Sequence, residues 1–291
     1  MYRGQCANSS IHARNTVNLL VILKGRHKAI ALVYSLLIAD YSINLTIPAA
    51  TGAAIDGVLR GSRVEAVTFA ACWLGSATLS AIRRSVDTRI FSSIVADTAT
   101  GVVMKQTRDG KSLNIIAARS SLSREIVSFY AQDLPALLKG IITSFGSILL
   151  MSFYYPLGSA ICLVGAIPSI LISYVFFKKT RATIQKIHDA AERDLNLIRT
   201  GSEKKILNHH RILSKRRILH SDREAMASYI ISINALAFLL MVIFNVTEMN
   251  KSFGSTYSVI AYAVSFFGIL YELPVFIGAI ARIRDISLRL Q

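Results

Sequence analysis

Residues 134–177 read LPALLKGIITSFGSILLMSFYYPLGSAICLVGAIPSILISYVFF, and across these 44 positions only Lys139 carries a charge. A helix rises 1.5 Å per residue, so roughly 17–25 apolar residues cover about 30 Å of bilayer hydrocarbon. The stretch is long enough for two crossings, Leu134 to Tyr155 and Leu157 to Phe177, with Pro156 between them. Two further apolar runs precede it, Ala29 to Ala50 and Ala66 to Ile82, and two follow, Tyr229 to Thr247 and Tyr257 to Ile280. The 53% share of hydrophobic residues in the 291-residue chain exceeds that of an ordinary soluble domain, and the surplus needs a non-aqueous home. The expectation is an all-α membrane protein with six transmembrane helices. The second run is the weakest, diluted by Gly75, Ser76, Thr78 and Ser80. Its Ala71/Gly75, Ser76/Ser80 and Ala77/Ala81 spacings suit close helix packing and predict a span packed on protein instead of lipid.

The net charge of +16 raises the question of nucleic acid, and the placement of the cations answers it. Twenty-nine of the 33 Lys and Arg lie before the first span, in the two long connections, or after the last span, whereas Arg60, Arg63 and Lys251 alone fall in the opposite connections. This is a positive-inside pattern, which places both termini and the long connections in the cytoplasm and argues against a nucleic-acid partner. The expected organisation is a cytoplasmic N-terminus over residues 1–28, a six-helix membrane domain over 29–280 and a cytoplasmic tail over 281–291. Lys24, Arg26 and Lys28 sit too far in for a secretory signal, and Thr16 to Leu23 suits a short interfacial helix. Cys72 and Cys162 are mid-span and Cys6 is near the N-terminus, a set that implies neither a disulfide nor a metal site.

The connections Arg83 to Asp133 and Lys178 to Ser228 are each 51 residues long and contain no proline. Such lengths are either disordered or structured in their own right, and the scarcity of Pro and Gly favours structure. In the first, Ile90, Phe91, Ile94, Val95, Thr98 and Val102, then Leu122, Ile126, Phe129 and Tyr130, recur at the interval of an amphipathic helix. Gly110 and Gly201 fall near the two midpoints, where a glycine can end one helix and allow a reversal. The prediction is a pair of helical hairpins reaching on the order of 35 Å from the membrane.

Six spans, short outer connections, an interfacial N-terminal helix and two long helical loops, after spans 2 and 4, resemble the transmembrane domain of ABC exporters. Locally, Ile47-Pro48 with Ile55-Asp56-Gly57 is similar to the end of the first exporter helix, and Asp133-Leu134-Pro135 to the start of the third. The resemblance implies a homodimer or heterodimer of six-helix units in the bacterial inner membrane. It also implies loop tips seated on a separate ATP-binding subunit: Gly110, Lys111 and Leu113 in the first, and Asp194, Asn196 and Gly201 in the second. ATP then acts through the partner, and this chain is expected to bind no cofactor of its own. With eleven residues after the last span, the expectation is that the ATP-binding domain is on another chain. The fragment Gly110-Lys111-Ser112 lacks the glycine a phosphate loop needs at position 105, where Lys105 stands.

Ionisable groups inside the membrane are costly, which makes Asp40, one turn from Asn44, and Glu272, beside Pro274, candidates for a substrate pathway. Asn234 and Asn245 rank below them as interhelical hydrogen-bond partners. Two acidic residues favour a cationic or amphipathic solute. Lys139 is close enough to its span's end for its ammonium to snorkel, and Pro274 predicts a kink. The six histidines fall outside the spans and form no metal or catalytic spacing, so no enzyme is expected. The reading is a membrane subunit of an ABC-type exporter driven by a separate ATPase; the alternative is a scaffold or regulatory subunit that keeps the six-helix fold.

On a background lacking native cysteines, cysteines at Ser62 and Ser255 should react with a membrane-impermeant thiol reagent in intact cells, and those at Ser112 and Ser214 only after lysis. The reverse pattern inverts the topology, and labelling of all four in intact cells removes the six-span arrangement.

Overall fold

Backbone N–H and C=O groups find no water in hydrocarbon, so a crossing segment must satisfy them internally. The computed structural model describes residues 26–110, 116, 120, 124–198, 202–247 and 252–290, and every element among them is helical. In chain order these are α1 (His27–Leu59), α2 (Val64–Arg108), α3 (Leu134–Tyr154), α4 (Pro156–Ile198), α5 (Glu203–Thr247), α6 (Phe253–Tyr271) and α7 (Leu273–Leu290). A π-helical turn, Phe129–Asp133, leads into α3. Six segments are long and apolar enough to cross a bilayer, the sixth being α6 and α7 together. Phe145 and Phe153, each 76% exposed, are costly in water and suited to lipid tails.

Helices α2, α4 and α5 run unbroken for 45, 43 and 45 residues. At 1.5 Å per residue each is about 65 Å long, roughly twice the hydrocarbon thickness. The predicted amphipathic face in α2 is present: Phe91, Ile94, Thr98 and Val102 are buried. Phe91 and Ile94 close a cluster with Val33 of α1 and Val127. Helix α2 ends beside Gly110, whose φ of +65° is a left-handed conformation that glycine adopts without steric cost. Asp194 and Asn196 lie near the C-terminal end of α4, while Lys111, Leu113 and Gly201 lie outside the described residues, as does the expected interfacial helix.

The main core joins Met151, Cys162, Ile231, Val242, Val259 and Tyr262 from α3 to α6. Asn234 binds α5 to α4 through Gly165 O at 2.8 Å and Ser169 Oγ at 3.0 Å. The anticipated break beside Pro274 occurs at Glu272, between α6 and α7.

Two seams fix α1. At its outer end Gly52 and Gly254 meet so closely that a Cβ on Gly254 would stand 1.9 Å from Gly52 O. Asp56 Oδ1 accepts the Gly254 N–H at 2.7 Å. Further in, Pro48 provides no N–H for the carbonyl one turn before it. Nearby, Leu45 O and Pro48 O accept from Tyr262 Oη at 2.9 Å and Ser258 Oγ at 3.1 Å of α6.

The second span departs from expectation. Ala71, Gly75 and Ala77 are exposed, and a Cβ on Gly75 would meet nothing. Of the small residues there, Ser76 is buried, 4% exposed, through a polar contact with α1 and not through close backbone packing. Among the described residues the Ala71/Gly75 and Ala77/Ala81 spacings therefore mark an open face, and Ser76/Ser80 faces α1.

Gly254→Ala should destabilise the purified protein by about 1–3 kcal/mol through overpacking at the α1–α6 seam. Gly75→Ala, entering open space, should leave thermal unfolding in detergent unchanged. Equal loss at both positions would discount the seam.

Candidate functional site

Asp40 projects from α1 at a position where hydrocarbon would strongly disfavour an isolated carboxylate, and it is 2% exposed. Helix α2 and the next turn of α1 supply its partners. Its Oδ1 accepts from Ser80 Oγ at 2.5 Å and from Asn44 Nδ2 at 3.0 Å, and its Oδ2 accepts from Arg83 Nε at 2.8 Å. The other side of the guanidinium reaches Asp87 Oδ2 through Nη1 at 2.8 Å, and its face lies 5.4 Å from the Tyr41 ring centroid. Arginine can serve two carboxylates and a ring at once because its donors are fixed in a planar fork. Ser76 Oγ completes the ladder by donating to Asn44 Oδ1 at 3.1 Å.

The ladder has a simple sequence origin. Asp40 and Asn44 are one turn apart on α1; Ser76, Ser80, Arg83 and Asp87 recur every three or four residues on α2, so both sets form single faces. Antiparallel packing then sets Asn44 beside Ser76 and Asp40 beside Ser80 and Arg83.

One side of the ladder borders a cavity of about 370 Å³. Helix α1 contributes Asp40, Tyr41, Asn44, Leu45 and Pro48; α2 contributes Ser80 and Arg83. The facing walls are Lys139, Thr143 and Ser147 of α3 and Tyr262 and Ser265 of α6. Lys139, Thr143 and Ser147 are spaced by four and form one face of α3. Ser147 is fully buried, and its Oγ has no hydrogen-bond partner among the described residues.

A model of the ABC transporter transmembrane region matches residues 19–256. The chain belongs to that family. No curated protein matches it. This membership agrees with the six helical crossings and with the architecture expected from the long loops. The family member's expected pathway residues divide by position. Asp40 and Asn44 share the cavity, whereas Glu272 lies at the α6–α7 break outside its lining. Asn234 is used between α5 and α4, and Asn245 Nδ2 donates within its own helix to Met241 O at 2.7 Å. Among the described residues no group of His, Cys, Asp and Glu could hold a metal ion.

Sequence reasoning missed Arg83, Ser80, Lys139, Thr143 and Ser147 as parts of this site. Arg83 opens the first long connection and Lys139 lies near the start of its span, and both line the cavity. Their signal was available in the four-residue spacing of polar groups along α2 and α3.

Asp40→Asn should destabilise the protein by about 3 kcal/mol, since it leaves a largely buried guanidinium short of one carboxylate. Combining it with Arg83→Gln should cost less than the two single losses added, with a coupling of about 1–3 kcal/mol in thermal unfolding. Additive losses would show that the ion pair contributes nothing specific to α1–α2 docking.

Proposed function

We propose that the chain is the membrane-spanning subunit of an ABC-type exporter, powered by ATP hydrolysis on a separate subunit. Family membership supports a membrane subunit of an ABC-type transporter. The observation that carries the finer reading is the length of α2, α4 and α5, each about 35 Å longer than the hydrocarbon requires. With six alternating crossings, the end of α2 at Gly110 and the end of α4 beyond Asn196 face the same side. The positive-inside pattern makes that side the cytoplasm, here of a bacterial inner membrane, with both termini on it. Gly110, Lys111 and Leu113 form the first docking tip; Asp194, Asn196 and Gly201 form the second. Two such units, identical or related, associate around the pathway to which Asp40 and Asn44 contribute. The chain itself catalyses no reaction and holds no cofactor; motion reaches it through the rigid helices.

Purification from the native membrane followed by mass spectrometry should recover a stoichiometric ATP-binding protein. Gly110→Pro, incompatible with a φ of +65°, should weaken crosslinking of the first tip to that protein while membrane insertion is retained. Recovery of this chain alone, with no effect of ATP on it in native vesicles, would replace transport with a scaffold role.

A further inference from the structure

The cavity beside Asp40 has unused hydrogen-bonding capacity, and its sign is informative. Asp40, its one carboxylate, already accepts from Ser80, Asn44 and Arg83. Three interactions occupy most of the roughly four acceptor positions of a carboxylate, and Arg83, which also pairs with Asp87, offsets part of its charge. A cationic ligand would have to displace Arg83 from an ion pair 2.8 Å long. The acidic residue that suggested a cationic solute is thus internally committed.

The donors across the cavity are in the opposite state. Lys139 is exposed, lines the cavity and makes no ion pair among the described residues. Two turns further along α3, the fully buried Ser147 hydroxyl has no partner there either. Thr143 adds a hydroxyl between them on the same face. An ammonium and two hydroxyls along about 12 Å of helix suit a ligand with several acceptor oxygens and negative charge. The walls opposite include Leu45, Pro48 and Tyr262, which can cover an apolar portion of the same molecule.

We propose that this cavity binds an anionic group, a carboxylate or phosphate, through Lys139, Ser147 and Thr143, with the Asp40 carboxylate held away from the ligand by Ser80, Asn44 and the Arg83 it shares with Asp87. That the bound molecule is the exported solute rests on the transport reading above; the binding site itself does not. A soluble amphipathic anion and the headgroup of an anionic lipid share the required chemistry.

The full chain in phosphatidylcholine nanodiscs separates these cases by thermal unfolding with two probes of equal tail length, octyl phosphate and octyltrimethylammonium. Octyl phosphate should raise the midpoint in a saturable way and the cation should not. Lys139→Gln should weaken the apparent Kd for octyl phosphate about tenfold, equivalent to one lost charge-assisted contact. Lys139→Arg should preserve most of the affinity, and Ser147→Ala should reduce it several-fold. Adding phosphatidylglycerol to the discs identifies the source: Lys139-dependent stabilisation with competition against octyl phosphate means a lipid headgroup, and no such effect means a soluble ligand. The proposal is overturned if octyl phosphate produces no shift, if the cation stabilises as well or better, or if Lys139→Gln leaves the phosphate response intact. Should Lys139→Gln fail to fold, the comparison of probes on the unaltered chain and the Ser147→Ala response still decide. None of these measurements needs an ATPase, so their failure leaves the recovery of an ATP-binding partner as a separate result.

Discussion

A carboxylate in a bilayer must find hydrogen-bond donors and a counter-charge inside the protein, and Asp40 takes both from α2. Ser80 and Arg83 bring that helix to α1 at a fixed height, because the partners on each helix occupy consecutive turns. Sliding either helix by one turn, about 5.4 Å, would separate Arg83 from Asp40 and Ser76 from Asn44 together. Apolar packing between two helices is far less exacting about height, particularly where lipid tails are as apolar as the side chains. The polar ladder thus sets the register, and the C-terminal half of α2, beyond Arg83, inherits it. Phe91 and Ile94 meet Val33 and Val127 because Asp40 has already determined how far α2 is drawn along α1.

Along α1 the order of contacts explains why a cavity forms where it does. At the inner end Arg26 bonds Ser93 Oγ at 2.8 Å and pairs with Asp97 at 2.5 Å, and Val33 enters the apolar cluster. At the outer end Gly52 contacts Gly254 with no room for a side chain. Between these seams lie Asp40, Tyr41 and Asn44, whose polar atoms must be served by other polar groups. Tyr34 Oη ties the inner region to Tyr130 O at 3.0 Å, within the π-helical turn that precedes α3. The wider backbone of such a turn leaves a carbonyl able to accept from an outside donor. Both ends of α1 are therefore tied to neighbouring elements, and in the middle the polar side chains of α1 turn to α2, leaving the cavity between them and the facing walls of α3 and α6.

Hydropathy made the membrane class and the number of crossings legible, since a run such as 134–177 has few alternatives to a pair of spans. Period and glycine placement made the long helices legible too: Phe91, Ile94, Thr98 and Val102 are the face that became buried. Hydropathy fails where a helix continues past its first charge. Arg83 ended the apolar run and was assigned to water, although nothing in α2 changes there and its side chain turns back to Asp40. Ser76 and Ser80 were read as small when their hydroxyls mattered. Composition similarly identifies Glu272 as an acid within a span without revealing which face it occupies; the helix break beside Pro274 carries it away from the cavity lined by Asp40. The asparagines show the same limit, since Asn234 bridges two helices while Asn245 bonds its own.

Electrostatics inside the membrane depends on pairing more than on the count of acidic residues. Asp40 and Asp87 share Arg83, and their combined effect on a nearby ligand is far smaller than two carboxylates suggest. Lys139 lacks such a partner among the described residues, and in a low-dielectric surrounding an unpaired charge dominates the local field. Counting the acidic residues of the spans therefore overstates the negative charge that the cavity presents. The open small-residue face of α2 follows from the same pairing: its polar stripe faces α1, so Ala71, Gly75 and Ala77, on other faces, are exposed among the described residues. Groups that settle register inside one chain are unavailable for contacts outside it, and large apolar side chains such as Trp73 and Leu74 are among those α2 leaves exposed to a second unit or to lipid.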